Sequence, residues 1–338
     1  MQVSVIIPTY NEELFIEALI ENLVAQDFPK EELEVLIIDG QSTDKTRQLI
    51  QERSTSLGWI KLLPNPHIVV PHAMNIGISA SKGKTIVRMD AHCQYPNNYI
   101  SRLLAVQQET GAENVGGVWI TVPGADTAIA RAIALASSHP FGIGNASYRL
   151  ENTEIKEVDT VPYGCYPREV FDRIGLYDED LIRNQDDELN GRLIQAGGKI
   201  MLIPDLEIQY SARPTWSKMN KMFYQYGLYK PLVNKKLGKP ATWRQFIPPA
   251  FVLVGLLILI SLFFTSDSGV QLLLSSFYVL SALGIALVMA IRKVDLALIF
   301  LVPITFALIH ISYGLGYWQG IWNFMILGRS STSTSSSR

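Results

Sequence analysis

The chain is poor in cysteine: Cys93 and Cys165 are the only two among 338 residues. Two are too few for the disulfide framework of a small secreted domain, and they suit a reducing compartment. No sign of charge dominates either. The 29 basic and 31 acidic residues give a net charge of -2, which offers no basic field for wrapping nucleic acid. Met1 is followed directly by Gln2-Val3-Ser4-Val5, without a basic start or a cleavage site, so no secretory leader is expected. The largest shortage is local. Between residues 246 and 327 the formal charges are Asp267, Arg292, Lys293 and Asp295, too few to cover an ordinary watery surface.

That stretch contains three apolar runs, at about residues 246–264, 270–291 and 296–313. Each is near the ~20 residues that a helix needs to cross a ~30 Å hydrocarbon layer. A single run would suit a buried core helix, but three in series with short polar hinges predict a membrane region. Lys235, Lys236, Lys239 and Arg244 precede the first run, Arg292 and Lys293 separate the second from the third, and the turn at residues 265–269 has no base. This bias predicts a multi-pass protein of the cell (inner) membrane whose amino-terminal part faces the cytoplasm. Residues 314–327, with Tyr317, Trp318 and Trp322, suit an interfacial segment, and the Ser/Thr-rich residues 329–338 a disordered tail.

The first 238 residues form an α/β pattern. Residues 3–8 are a β-branched run closed by proline, as in a strand covered on both faces. Residues 12–26 carry Leu14, Ala18, Leu19 and Leu23 at helical spacing, with Asn11 placed to cap them. Strands at 34–39, 59–63 and 84–90 then alternate with helices from about 43 and at 71–81, which implies a mostly parallel sheet. Ligands of such sheets bind beyond the carboxyl ends of the strands. That rule selects Thr9, Tyr10, Asn11 and Glu12; Asp39, Gly40 and Gln41; and Asp90, Ala91 and His92.

Residues two apart in an extended segment point to one side, so Asp90 and His92 can meet one divalent cation, which would neutralise a leaving diphosphate. The alternative is an Asp that caps the next helix and a His that bonds to backbone.

Pro8-Thr9-Tyr10-Asn11-Glu12, Asp39-Gly40-Gln41-Ser42-Thr43-Asp44, Asn75-Ile76-Gly77 and Asp90-Ala91-His92 occur in this order. Together they resemble the family 2 glycosyltransferases over residues 1–230. The Asp-Ala-His variant with its three-span tail is further similar to the succinoglycan-type exopolysaccharide glucosyltransferases of bacteria. The resemblance implies a GT-A nucleotide-sugar (Rossmann-like) domain followed by a three-helix transmembrane region. It also implies that Asp39 accepts from the uracil ring, that Pro8, Thr9, Tyr10, Asn11, Glu12 and Asn75 belong to the donor cleft, and that Asp90 meets ribose or metal.

His92 then replaces the second carboxylate of the family's Asp-X-Asp motif. Imidazole suits transition metals, so the resemblance points to Mn²⁺ over Mg²⁺. In Gln185-Asp186-Asp187-Glu188-Leu189, at the start of a helix that ends before Gly197-Gly198, Asp186 takes the place of the family's catalytic base, with Asp187 as runner-up. Acidic residues in a first helical turn also favour the dipole without any further role. Arg192, about one turn on, is expected to pair with an acid. Lys230 either reaches the diphosphate or belongs to an interfacial amphipathic segment, and residues 123–158 form either an acceptor lid or a surface excursion.

The expected activity is metal-dependent, inverting transfer of a hexose from a nucleotide sugar, UDP-linked, to a lipid-linked saccharide in cell-surface polysaccharide assembly. The rival readings are a sugar transferase acting on polyprenyl phosphate and a catalytically silent assembly subunit of an export complex.

Overall fold

The apolar runs that alternate with helical patterns become four neighbouring strands. In the computed structural model, which describes residues 1–261, 263, 264 and 269–330, β1 (Val3–Thr9), β2 (Leu33–Asp39), β3 (Ile60–Pro64) and β4 (Thr85–Arg88) lie parallel in the order β3-β2-β1-β4. Residues 265–268, within the expected polar turn, and the tail beyond residue 330 lie outside the described residues. Helices α1 (Ile16–Val24), α2 (Thr46–Ser56) and α3 (Val70–Ala80) make the crossovers. The central strands are buried on both faces, which is why they are runs of Val, Ile and Leu rather than alternating patterns. Gly77 lets α3 approach β1 so closely that a Cβ there would run into Ile6.

The first helix is shorter than the sequence predicts, starting at Ile16 rather than residue 12. Asn11 does not cap it. Asn11 takes a left-handed φ of 53°, and the backbone N–H groups of Glu12 and Glu13 donate to Thr46 Oγ1 and Asp44 instead of opening the helix.

Past β4 the sheet turns antiparallel. β5 (Cys93–Gln94), α4 (Tyr99–Thr110), β6 (Asn114–Val122), α5 (Ala128–Ala136), α6 (Pro140–Ile143), β7 (Lys156–Glu157), β8 (Cys165–Pro167), α7 (Arg168–Ile174), α8 (Gln185–Gln195) and β9 (Ile200–Ser211) follow in the chain. The sheet continues β4-β8-β6-β9-β5, with β7 on β9, and β8 pairs antiparallel to β4 and β6. The whole is a mixed sheet, of which the sequence pattern anticipates the parallel half. Strands of two or three residues are too short to show periodicity, and their hydrogen-bond partners lie far along the chain.

Among the described residues the contacts divide the chain into two units, Met1–Ile120 with Glu151–Tyr210, and Thr121–Leu150 with those from Ser211 to Ser330. The second unit holds α5, α6, α9 (Trp216–Leu237), α10 (Ile247–Ser261), α11 (Gly269–Lys293) and α12 (Leu298–Gly320). Three of its helices, Trp243–Ser261, Gly269–Lys293 and Leu298–Ile326, are long and apolar enough to cross a membrane. The last spans 29 residues, about 44 Å at ~1.5 Å per residue. The aromatic stretch expected as a separate segment therefore continues the third helix, through a π-helical turn at Ile321–Ile326.

Within this unit Ala132 and Ile133 of α5 and Met219 and Phe223 of α9 share a core with Ala286 of α11 and Phe306 of α12. Arg131 pairs with Asp295, Nε to Oδ2 at 2.9 Å, and His310 meets the Phe141 carbonyl at 2.9 Å and the Tyr278 hydroxyl at 3.0 Å. Of residues 123–158, for which the sequence left a lid and a surface excursion open, those up to Leu150 belong to this unit, where α5 and α6 pack on α12, and Lys156–Glu157 pair with β9 in the other. Helices α9 and α12 meet through glycine: a Cβ at Gly227 would strike the Tyr313 carbonyl, and one at Gly316 the Tyr224 carbonyl. Gly227→Leu should therefore lower stability by about 1–3 kcal/mol through overpacking. A thermal unfolding curve of the full chain in detergent checks it, and an unchanged midpoint contradicts this packing.

Candidate active site

Three strand ends deliver their residues to one edge of the sheet. In the register Thr9 is level with Asp39, and Asp39 with Pro64, while Arg88 is level with Ile6. The Thr9 carbonyl accepts from the Gly40 N–H at 2.8 Å, which draws the first two strand ends together. Thr9 is buried, with its hydroxyl on the Ile7 carbonyl at 3.2 Å, and Pro8 precedes it in β1. Asn11 bridges to the loop after β2: its N–H donates to Ser42 Oγ and its Oδ1 accepts from the Thr43 N–H, each at 2.8 Å. Tyr10 is half-buried beside it.

Asp39 is 1% exposed. Its carboxylate accepts from the Ser42 N–H at 3.2–3.3 Å and faces Arg47 Nε at 3.5 Å. A cavity of about 310 Å³ opens here, lined by Asp39, Arg47, Gln51, Leu62 and Pro64 among others.

Asp90 and His92 do not continue the strand. β4 ends at Arg88 and Ala91-His92 form a turn, so the same-side argument from an extended segment does not hold. The Asp90 N–H donates to the buried Tyr95 hydroxyl at 2.7 Å, whereas His92 Nδ1 faces Glu12 Oε1 at 3.3 Å. If Nδ1 donates to that carboxylate, the imidazole carries its lone pair on Nε2, the atom a metal would take. Among the described residues no three His, Cys, Asp or Glu side chains form a metal cluster. A cation bridging a diphosphate needs only one or two protein ligands, with phosphate and water completing its shell. The Asp90 carboxylate and the His92 imidazole are donors of the chemistry that smaller demand takes.

The sequence pattern missed the residue that joins the carboxylates. Arg88 lies in β4 with its side chain 6% exposed. It grips Asp186 with Nη1 at 2.6 Å from Oδ1 and 2.7 Å from Oδ2, and its Nη2 reaches Asp90 Oδ1 at 3.3 Å. Its guanidinium carbon lies 5.5 Å from the ring centre of Tyr163, a buried residue held at a left-handed φ of 62°. Burial works against the arginine charge, but Asp186 and Asp90 outweigh it and push its pKa further above the ordinary value. Burial likewise raises the Asp186 carboxyl from its ordinary value; Arg88 opposes that rise, and Asp90 and Asp187 add to it. The one available signal was a lone Arg inside the apolar run Ile86-Val87-Arg88-Met89, since a charge in a fully covered strand needs partners.

Asp186 and Asp187 occupy the first turn of α8. Glu188, in the same turn, is tied to Arg192 at 2.6 and 2.8 Å, the acid pairing expected for that arginine. Lys230 lies in the second unit, buried on α9.

Asn75 is brought to different partners. Its Nδ2 donates to the Tyr177 carbonyl and to Glu179 Oε1, and its Oδ1 accepts from the Tyr177 N–H, all at 2.9 Å. It fastens the segment leading to α8 onto α3. Asn75→Ala should lower stability by about 1–3 kcal/mol, because it strands buried backbone groups. A thermal melt checks this, and a wild-type midpoint with weakened nucleotide binding would instead place Asn75 in the donor cleft.

The family model described as "Glycosyl transferase family 2" matches residues 4–175. The chain is 29% identical over 287 residues to dolichyl N-acetyl-alpha-D-glucosaminyl phosphate 3-beta-D-2,3-diacetamido-2,3-dideoxy-beta-D-glucuronosyltransferase of Methanococcus voltae, covering 81% of this chain and 88% of that one. It is 32% identical over 224 residues to the succinoglycan biosynthesis protein ExoA of Rhizobium meliloti, covering 66% of each. Among solved structures, mannosyltransferase PcManGT from Pyrobaculum calidifontis, in complex with GDP-Man and Mn²⁺, aligns with a TM-score of 0.65 over 95% of this chain and 87% of that one. At 16% identity that likeness shows the fold, a GT-A one.

Proposed function

Since this chain belongs to glycosyl transferase family 2, we propose that it transfers a hexose from a UDP-sugar, with inversion, to a lipid-linked saccharide at the cytoplasmic face of the cell membrane. The observation that carries the reading is the Asp90–Arg88–Asp186 constellation, one buried cation holding a strand-end carboxylate and a helix carboxylate together. A helix-capping acid needs no such partner. The lipid-linked acceptor is supported by the name of the Methanococcus voltae relative and by the three apolar helices. The rivals, direct transfer to a polyprenyl phosphate and a silent assembly subunit, lack a specific observation in their favour.

Asp186 is the base. It takes the proton from the acceptor hydroxyl as that oxygen bonds to the anomeric carbon and the carbon–oxygen bond to the diphosphate breaks, releasing the nucleoside diphosphate as an anion. Arg88 is a positioning residue: its two-point grip fixes the orientation of the Asp186 carboxylate. Asp39 accepts from the base of the donor, and Thr9, Asn11 and Glu12 complete that cleft. A divalent metal, held by Asp90 and His92, would stabilise charge on the leaving diphosphate when bound.

Asp186→Asn should reduce transfer by ~10²-fold or more with UDP affinity near wild type, and Asp187→Asn less, since it projects about 100° away around the helix. Asp39→Ala should do the reverse, weakening UDP binding, and equal affinity of the native protein for GDP and UDP would remove the uracil assignment. Because the Asp186 carboxyl is raised and only its ionised form accepts a proton, activity should be full at high pH. It should fall away as pH drops through a limb raised from that of an ordinary aspartate. Arg88→Met removes the opposing cation and should move that limb higher still, a displacement visible in a kcat–pH profile. A limb that stays in place would separate Arg88 from the base.

For the metal, Mn²⁺ should support more transfer than Mg²⁺, and His92→Asp should narrow the difference by supplying a hard oxygen ligand. Full activity in EDTA excludes the metal.

A further inference from the structure

The second unit contains a groove of about 660 Å³, within the size range of small-molecule sites, between the end of α9, the start of α10 and the end of α12. Its walls are apolar, including Phe246, Pro249, Leu253, Trp318 and Met325, while Lys235 and Lys239 stand where α9 ends. The walls are pinned to one another. The Trp318 indole N–H donates to the Pro249 carbonyl at 3.0 Å, Asn234 Nδ2 to the Tyr317 hydroxyl at 3.2 Å, and Lys235 Nζ to the Phe324 carbonyl at 2.9 Å. The groove is thus formed before any ligand arrives, and little ordering entropy opposes its filling.

The charge around it has one sign. From Ser211 to Phe264 the chain carries no Asp or Glu, and the α9 carboxyl end, which alone would repel an anion, holds Lys235 and Lys236 in its last turn with Lys239 just beyond. A long apolar body with a phosphate at one end matches this arrangement.

We propose that this groove binds the isoprenoid phosphate or diphosphate of the acceptor lipid, with the first isoprene units against Phe246, Leu253 and Trp318 and the phosphate on Lys235 and Lys239. The proposal rests on the lipid-linked acceptor assigned above. Aromatic walls favour the planar, methyl-branched isoprene unit over a linear acyl chain, so the site should distinguish this lipid from anionic phospholipid of the bulk membrane.

The test uses the full chain in zwitterionic lipid nanodiscs, with undecaprenyl phosphate as the probe and phosphatidylglycerol as the competitor, retention being read by native mass spectrometry. The wild-type protein should retain undecaprenyl phosphate in preference to phosphatidylglycerol. Ala250→Trp, which fills the groove, and Lys239→Gln, which leaves the three pinning bonds in place, should each weaken retention about tenfold or more. UDP affinity should not change in either variant, and this reports that both are folded. Equal retention of the two lipids would reduce the groove to surface electrostatics and overturn the proposal, as would wild-type retention in both variants. The two readings fail separately. Groove-dependent binding without sugar transfer to any lipid-linked acceptor removes the acceptor assignment and leaves the groove. Transfer whose KM for lipid is the same in wild type and both variants removes the groove and leaves the assignment.

Discussion

A guanidinium in the middle of a covered β-sheet is tolerated only if its charge is answered. Arg88 sits in β4, flanked by β1 and β8, and taking its charge out of water costs several kcal/mol unless anions compensate. Asp186 compensates through two short bonds and Asp90 through a longer one. This requirement places the first turn of α8 beside β4 although nearly a hundred residues separate them. Asn75 contributes to the same end by tying Tyr177 and Glu179 to α3, which sets the approach of the segment that leads into α8.

The ion pairs also join distant parts of the chain. Asp90, just past β4, and Asp186, at the start of α8, both contact one cation that lies over the ring of Tyr163. Glu12 and His92 form a second link, between the end of β1 and the turn after β4. The loops after β1 and β2 are bound just as closely, since Asn11 bonds to Ser42 and Thr43, and Ser42 to Asp39. Polar groups held in this way need little reorganisation when charge develops beside them.

The second unit obeys a different constraint. Where lipid removes the hydrophobic drive between helices, close backbone approach and buried polar links hold them together. Gly227, Gly316 and Gly320 allow α9 to lie against α12, while Arg131–Asp295 and His310 with Phe141 and Tyr278 provide the polar links. Residues 121–150 find their core here through small alanines rather than through any long apolar run.

The sequence by itself determined whatever depends on near neighbours. The β-branched runs of β1 to β4, the helical spacing between them, the acidic residues at strand ends and the three apolar helices are all local, because strand and helix periods and membrane thickness act within about twenty residues. The ordered motifs also sufficed for the family. Tertiary structure decided whatever depends on partners far along the chain. Asn11 looks like a helix cap until the loop at residues 42–46 claims it, and the Asn75 amide finds its partners in Tyr177 and Glu179, 102 and 104 positions on. Asp90 and His92 share a strand face in an extended chain, but the turn at Ala91 gives them different partners. Arg88 appears only as an irregularity in an apolar run. Its meaning comes from Asp186, 98 positions away, because a buried charge is balanced by whatever the fold brings within hydrogen-bond distance and not by its neighbours in sequence.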